Sequence, residues 1–321
     1  MAVTSDTATD ALADNGRAQV AARKAASRTV WTRWLMLSPA LVTILICGLA
    51  PLFIILAYSL MKPGDYAGVI CCKLVPDAWI NLFFEQDMFS DAMAPNYAYY
   101  IIFARSILMA LFTTALALGV GFPTAYFIAT RSPKLRNLML FLITIPFWTN
   151  LLIRTYSIIM MLQDQGVLNK VLMWLGVIQP DHPLQLMYTN IAISYGLAYA
   201  YLPYMVLPLY ASMEKLDFRL IEAGYDLYAS RFQVLRRLII PLVKPGIIAG
   251  SILVFIPAIG DYVITTQLGG GTTMMFGSLI SQQFLAARNW PQGSALSLGL
   301  MAVVMVALLI YAKKAVGRVE S

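Results

Sequence analysis

Apolar residues along this chain collect into runs long enough to cross the roughly 30 Å hydrocarbon core of a bilayer as helices. The runs are 34–61, 99–130, 137–162, 187–213, 246–268 and 294–312, separated by polar, turn-rich stretches. The pattern predicts an all-α polytopic membrane protein with six transmembrane helices, the first kinked near Pro39 or Pro51. Residues 1–33 lack periodic apolar positions and read as a disordered tail. The run 34–61 is too long for the apolar region of a signal peptide and no small-residue cleavage site follows it, so it is expected to stay as a span. The expected organisation is a tail at 1–33, a first helix and outer loop at 34–98, a five-helix core at 99–312 and a second tail at 313–321.

One interior stretch departs from this pattern. Between 217 and 240 the chain becomes charged, and its apolar positions recur at helical spacing. Asp217 can cap a short helix whose apolar positions are Phe218, Ile221, Tyr225 and Tyr228. Ser230 and Gln233 form a capping-box pattern opening a second helix, with Phe232 and Leu235 on one side and Arg231, Arg236 and Arg237 on the other. Pro241 is expected to stop that helix, and Pro245 to open the next span. The stretch therefore predicts two short helices outside the membrane, each with a face free to dock. A shorter amphipathic segment, 166–177, is expected to lie on the outer surface.

Composition agrees with the membrane reading: 60% of residues are hydrophobic and 12% charged, outside the soluble range. The net charge of +7 is spread over loops and does not form one stripe, so it points to topology and a lipid environment, with no nucleic acid partner. Basic residues gather in the tail, at Arg131, Lys134 and Arg136, in the 213–245 loop and at Lys313, Lys314 and Arg318. The opposite side holds Lys62, Lys73, Lys170 and Arg288, and its first loop carries Asp65, Asp77, Glu85, Asp87 and Asp91. By the positive-inside rule both termini and the 217–240 stretch are cytoplasmic. Cys47, Cys71 and Cys72 do not suggest a disulfide framework, and His182 has no neighbouring ligand, so no metal site is expected. The glycine triplet at 269–271 opens the last outer loop, 269–293. No Gly-Lys-Ser/Thr follows it, so it is not a nucleotide cradle.

Polar groups inside the spans are functional candidates, because burying them in hydrocarbon is costly. Asp261, close after Pro257 and Gly260, could offer a carboxylate to a passing cation or bond to another helix. Arg154 is expected to pair with an acid or to reach outward. The segment 146–150 adds Trp148 and Asn150 at a proline-disturbed turn. With Tyr156 and Tyr262 these residues make up the candidate pathway set: Asp261, Tyr262, Trp148, Asn150, Arg154 and Tyr156.

Glu222-Ala223-Gly224, followed by Leu238-Ile239-Ile240-Pro241, resembles the EAA loop of permease subunits of bacterial binding-protein-dependent ABC importers. Gly224 stands where the pattern has Ala. Tyr228 stands where it has Gly, and left-handed backbone angles, which glycine adopts freely, are costly for Tyr. The resemblance implies the type I ABC importer permease fold in an inner membrane. It makes the 217–240 stretch the coupling element that docks on an ATPase subunit, through Glu222, Ala223, Gly224, Asp226, Leu227, Ser230, Arg231 and Pro241. The segments 146–157, 254–270 and 282–297 are similar to the polyamine (spermidine/putrescine) branch, while opine and other small organic solutes stay open. By the same resemblance the partners are a second permease, two ATPase subunits and a periplasmic binding protein. This chain would be a non-enzymatic subunit binding no cofactor, with ATP and Mg used by its partner. An ion-coupled secondary transporter is the rival from another class, and it would leave the docking faces of 217–240 unexplained.

Overall fold

A computed structural model describes residues 36–64, 68–86, 93–179, 183–271 and 273–316. The tail 1–33, Asp65, Asp87, Asp91, His182 and Arg318 lie outside the described residues. The chain divides into two units, Met1–Tyr58 and Ser59–Ser321. The first holds nearly all of α1, Met36–Ser59, which is apolar on every side and leaves its most apolar window unburied.

The second unit opens with structure that the apolar pattern did not announce. Strand β1 (Met61–Pro63) pairs antiparallel with β2 (Val69–Leu74), helix α2 covers Asp77–Phe83, and β3 (Phe84–Gln86) pairs antiparallel with β4 (Met93–Pro95). The long helix α3 (Tyr97–Ala129) follows, opened by Asn96, whose side chain accepts from the Tyr99 amide. Then come α4 (Pro133–Trp148), α5 (Leu151–Leu162), α6 (Val167–Trp174) and α7 (Asn190–Glu214). The charged stretch forms α8 (Phe218–Asp226) and α9 (Arg231–Val234). A π turn at Leu235–Ile239 leads without a stop into α10 (Ile240–Gly260). The chain closes with α11 (Val263–Gly269), α12 (Phe276–Leu285) and α13 (Trp290–Val316).

Helices α3, α7 and α10 form the centre of this unit. Small residues at spacings of three and four, Ala110, Thr113, Ala117, Gly121 and Ala125, form much of the buried face of α3 and let α7 come close. Met205 of α7 is the wedge between its neighbours. A Cβ on Gly121 would lie 2.9 Å from Met205 Cγ, and one on Gly250 would lie 2.9 Å from Met205 Sδ. One buried cluster joins Met205, Leu209 and Val254 to Ile221, Val234 and Ile239, so α8, α9 and the π turn are tied into the same core as the spans. A second cluster holds Ile158, Ile193, Leu197, Ile259, Ile264 and Leu268, at the other end of α7.

Three expectations change. The run 137–162 is not one straight span but α4 and a following segment bent by 98°, because Thr149 and Asn150 take extended angles after Pro146. The run 246–268 breaks at Asp261, where ψ of 130° ends α10, and its start is continuous with α9. Pro241 does not stop the helix. Its ring would crowd the Arg237 carbonyl four residues back, and the wider π turn falls at that place. The stretch 269–293 contains α12, a helix of ten residues. Five helices are long and apolar enough to cross a membrane, or six when the bent pair counts as one span.

Candidate functional site

Two of the charges that the sequence places inside spans, Arg154 and Asp261, each sit at a helix break, whereas Arg105 lies within the continuous helix α3. At the first, α5 starts on Asn150, whose side chain accepts from the Leu152 amide at 2.8 Å. From one turn further on, the Arg154 guanidinium reaches back to the carbonyl oxygens of Pro146 and Thr149, at 3.2 Å for the latter. Arg154 is 9% exposed and makes no ion pair among the described residues, so it neither meets an acid nor reaches out to solvent. Its charge lies where the last carbonyls of α4 concentrate negative potential, which stabilises a buried cation.

The second break is the mirror case. Asp261 is 8% exposed and stands ahead of α11. Its Oδ1 accepts from the Ile264 amide at 2.8 Å and the Thr265 amide at 3.4 Å, and the Thr265 hydroxyl donates to the Asp261 carbonyl at 2.9 Å. These are capping bonds, and they place a carboxylate on the positive end of a short helix. A helix ending at Gly260 also explains why Asp261 is not deep within a continuous span, as the run 246–268 suggests.

Side chains of α7 join the two breaks. The Tyr201 hydroxyl donates to Asp261 Oδ2 at 2.8 Å. The Tyr201 and Tyr204 rings lie 6.1 Å apart, and Tyr204 meets Phe147 of α4 edge-on at 4.7 Å. A chain of contacts thus runs from the end of α4 to the start of α11. The candidate pathway set accordingly divides. Arg154 and Asp261 turn inward and hold the breaks. Trp148 is 84% exposed, Tyr156 and Tyr262 are about half exposed, and all three present ring surface on the outside of the subunit. Phe147 belongs to the segment 146–150 singled out in the sequence, whereas Tyr201 and Tyr204 are additions to the candidate set. The one signal for them in the sequence is the density of Tyr in α7, at 195, 199, 201, 204 and 210.

The charged stretch forms a second candidate surface. Asp217 caps α8 by accepting from the Arg219 amide, and α8 buries Ile221 and Gly224. That leaves Glu222, Ala223 and Asp226 exposed on the opposite face, and among the described residues Glu222 makes no ion pair. A Cβ on Gly224 would come within 2.9 Å of Leu238 Cδ1, the movable tip of a side chain, and 3.5 Å of Val234 Cγ2, an ordinary contact. The capping box forms as the spacing predicts: the Ser230 amide donates to Gln233 Oε1 at 2.8 Å and the Gln233 amide to Ser230 Oγ at 3.3 Å. The apolar assignment in the second helix needs correction. Val234 and Ile239 are buried, whereas Phe232 points outward together with Arg231, Arg236 and Arg237. Pro241 is exposed but lies inside the continuous helix. Tyr228 does take the left-handed conformation that glycine would supply, with φ of 58°.

The chain is 44% identical over 234 residues to the spermidine/putrescine transport system permease protein PotB of Escherichia coli, a match covering 73% of this chain and 84% of that one. It is 40% identical over 263 residues to PotB of Haemophilus influenzae, covering 82% and 86%. Among solved structures, a chain of a bacterial alginate ABC transporter in complex with alginate pentasaccharide-bound periplasmic protein shares the fold. Its TM-score is 0.64 at 16% identity, over 87% of this chain and 92% of that one. The family of binding-protein-dependent transport system inner membrane components matches residues 117–318, which hold both breaks and the 217–240 stretch. The chain belongs to that family of inner membrane transport components.

Proposed function

We propose that this chain is one permease subunit of an ATP-driven importer of polyamines, spermidine and putrescine, and that with a second permease it forms the path across a bacterial inner membrane. The observation that carries the substrate class is the 44% identity to a spermidine/putrescine permease over most of both chains. The distribution of basic residues supports cytoplasmic termini and a cytoplasmic α8. ATP and Mg are used by two separate ATPase subunits, and a periplasmic binding protein delivers the solute.

In this reading Glu222, Ala223 and Asp226 face the ATPase subunit. Closure of the ATPase pair pulls α8 inward, and the motion passes to the spans because Ile221, Val234 and Ile239 belong to the core built on Met205 and Leu209. The Asp261 carboxylate lends negative potential to the second break, and the exposed faces of Trp148, Tyr156 and Tyr262 offer cation–π contacts to a passing ammonium group. The test is uptake of labelled spermidine by proteoliposomes holding both permeases, the ATPase subunits and the binding protein. Accumulation that needs ATP and survives collapse of the proton gradient supports the proposal. Accumulation driven by the gradient without ATP overturns it.

A further inference from the structure

The turn that ends α8 is closed by hydrogen bonds from the Tyr228 amide to the Tyr225 carbonyl at 2.9 Å and from the Ala229 amide to the Gly224 carbonyl at 3.1 Å. This is a helix ending that calls for a left-handed residue, a position where glycine is free of steric cost and Tyr is not. Tyr228 holds that conformation with its side chain 98% exposed, so packing within the subunit does nothing to offset the strain. Leu227 beside it is 82% exposed, and Phe232 in the first turn of α9 is also largely outside. Three large apolar side chains thus stand outward within six residues. Strained conformations of this kind concentrate at functional sites, and exposed aromatics serve as interface anchors.

We infer that Tyr228 is the anchor this subunit inserts into a pocket of its ATPase partner, flanked by Leu227 and Phe232. The inference rests on reading 217–240 as the docking segment. Charge on the surrounding surface selects a protein over a lipid surface. Glu222 and Asp226 face outward on α8 while Arg231, Arg236 and Arg237 do so further along, giving an apolar point within a rim of mixed sign. An anionic membrane surface would favour a rim of basic residues alone.

The substitution Tyr228→Gly separates anchoring from turn formation, because glycine satisfies the turn better than Tyr. With the detergent-purified permease pair, Tyr228→Gly is expected to match or exceed the thermal midpoint of the unsubstituted protein. Its affinity for the ATPase subunit should fall at least tenfold, and binding-protein-stimulated ATP hydrolysis should fall with it. Tyr228→Phe is expected to keep both. If Tyr228→Gly docks normally while Glu222→Lys weakens docking, the anchor role is overturned and the docking segment stands. If neither variant weakens docking, the reading of the segment falls as well. If Tyr228→Gly instead loses binding to vesicles containing anionic lipid, with ATPase affinity unchanged, the residue contacts membrane and the inference is overturned.

Discussion

Tyr201 donates its hydroxyl to Asp261 Oδ2 at 2.8 Å, across 60 positions of sequence, and so ties the middle of α7 to the break between α10 and α11. Removing the donor leaves a buried carboxylate oxygen without that bond. Tyr201→Phe keeps the ring beside Tyr204 and is expected to cost about 1–3 kcal/mol. The change should appear as a lowered thermal midpoint of the purified complex.

Asp261 has a capping role and an electrostatic role, and two substitutions separate them. Asp261→Asn retains an oxygen for the Ile264 amide but loses the charge, so the complex should assemble while spermidine uptake falls about tenfold, equivalent to about 1.4 kcal/mol. Asp261→Ala also loses the cap, at a further cost of about 1 kcal/mol, and should reduce the yield of assembled complex. Normal uptake by a well-assembled Asn variant would assign Asp261 to architecture alone.

Arg154 braces the corner where α4 meets α5 by donating to the Pro146 carbonyl, which the Thr149 amide and hydroxyl also reach, and to the Thr149 carbonyl. Arg154→Met removes charge-assisted bonds worth about 1.5–3 kcal/mol and should sensitise the corner to proteolysis. Arg154→Lys should recover part of the loss: both bonds come from one guanidinium nitrogen, and an ammonium keeps the charge without the fixed orientation of the planar group.

The extent of α1, α3, α7 and α13 was legible because hydrocarbon thickness dictates run length, and the start of α9 because Ser230 and Gln233 carry their own hydrogen-bonding logic. The breaks were less legible. An Asp close after Pro257 and Gly260 is a helix-start signal, but the apolar run 246–268 continues past it and one of its partners is a hydroxyl on another helix, so run length alone reads through the break. Arg154 likewise pairs with backbone oxygens, which no side-chain pattern encodes. The π turn before Pro241 reverses an ordinary helix-stop reading because the core accepts the continuation: Ile239 and Val243 are both buried.

What a new Cβ would meet, backbone or a movable side chain, separates two glycines. A Cβ on Gly277 of α12 would lie 2.6 Å from the Gly260 carbonyl carbon and 2.7 Å from Asp261 O, atoms that cannot rotate away. Gly277→Ala is therefore expected to destabilise by about 1–3 kcal/mol and to disturb the second break. Gly224→Ala meets the tip of Leu238, which can turn aside, and it restores the residue of the family pattern. Docking on the ATPase subunit should survive it, as measured by binding-protein-stimulated ATP hydrolysis.

The claim on which the mechanism depends is that α8 is presented on the cytoplasmic face. Place a single cysteine at Glu222 in a background where Cys47, Cys71 and Cys72 are replaced by Ser, and expose membranes of each orientation to a membrane-impermeant maleimide. Labelling in inside-out vesicles and protection in right-side-out vesicles is the expected result. Labelling from the periplasmic side, or protection in both orientations, would contradict the account.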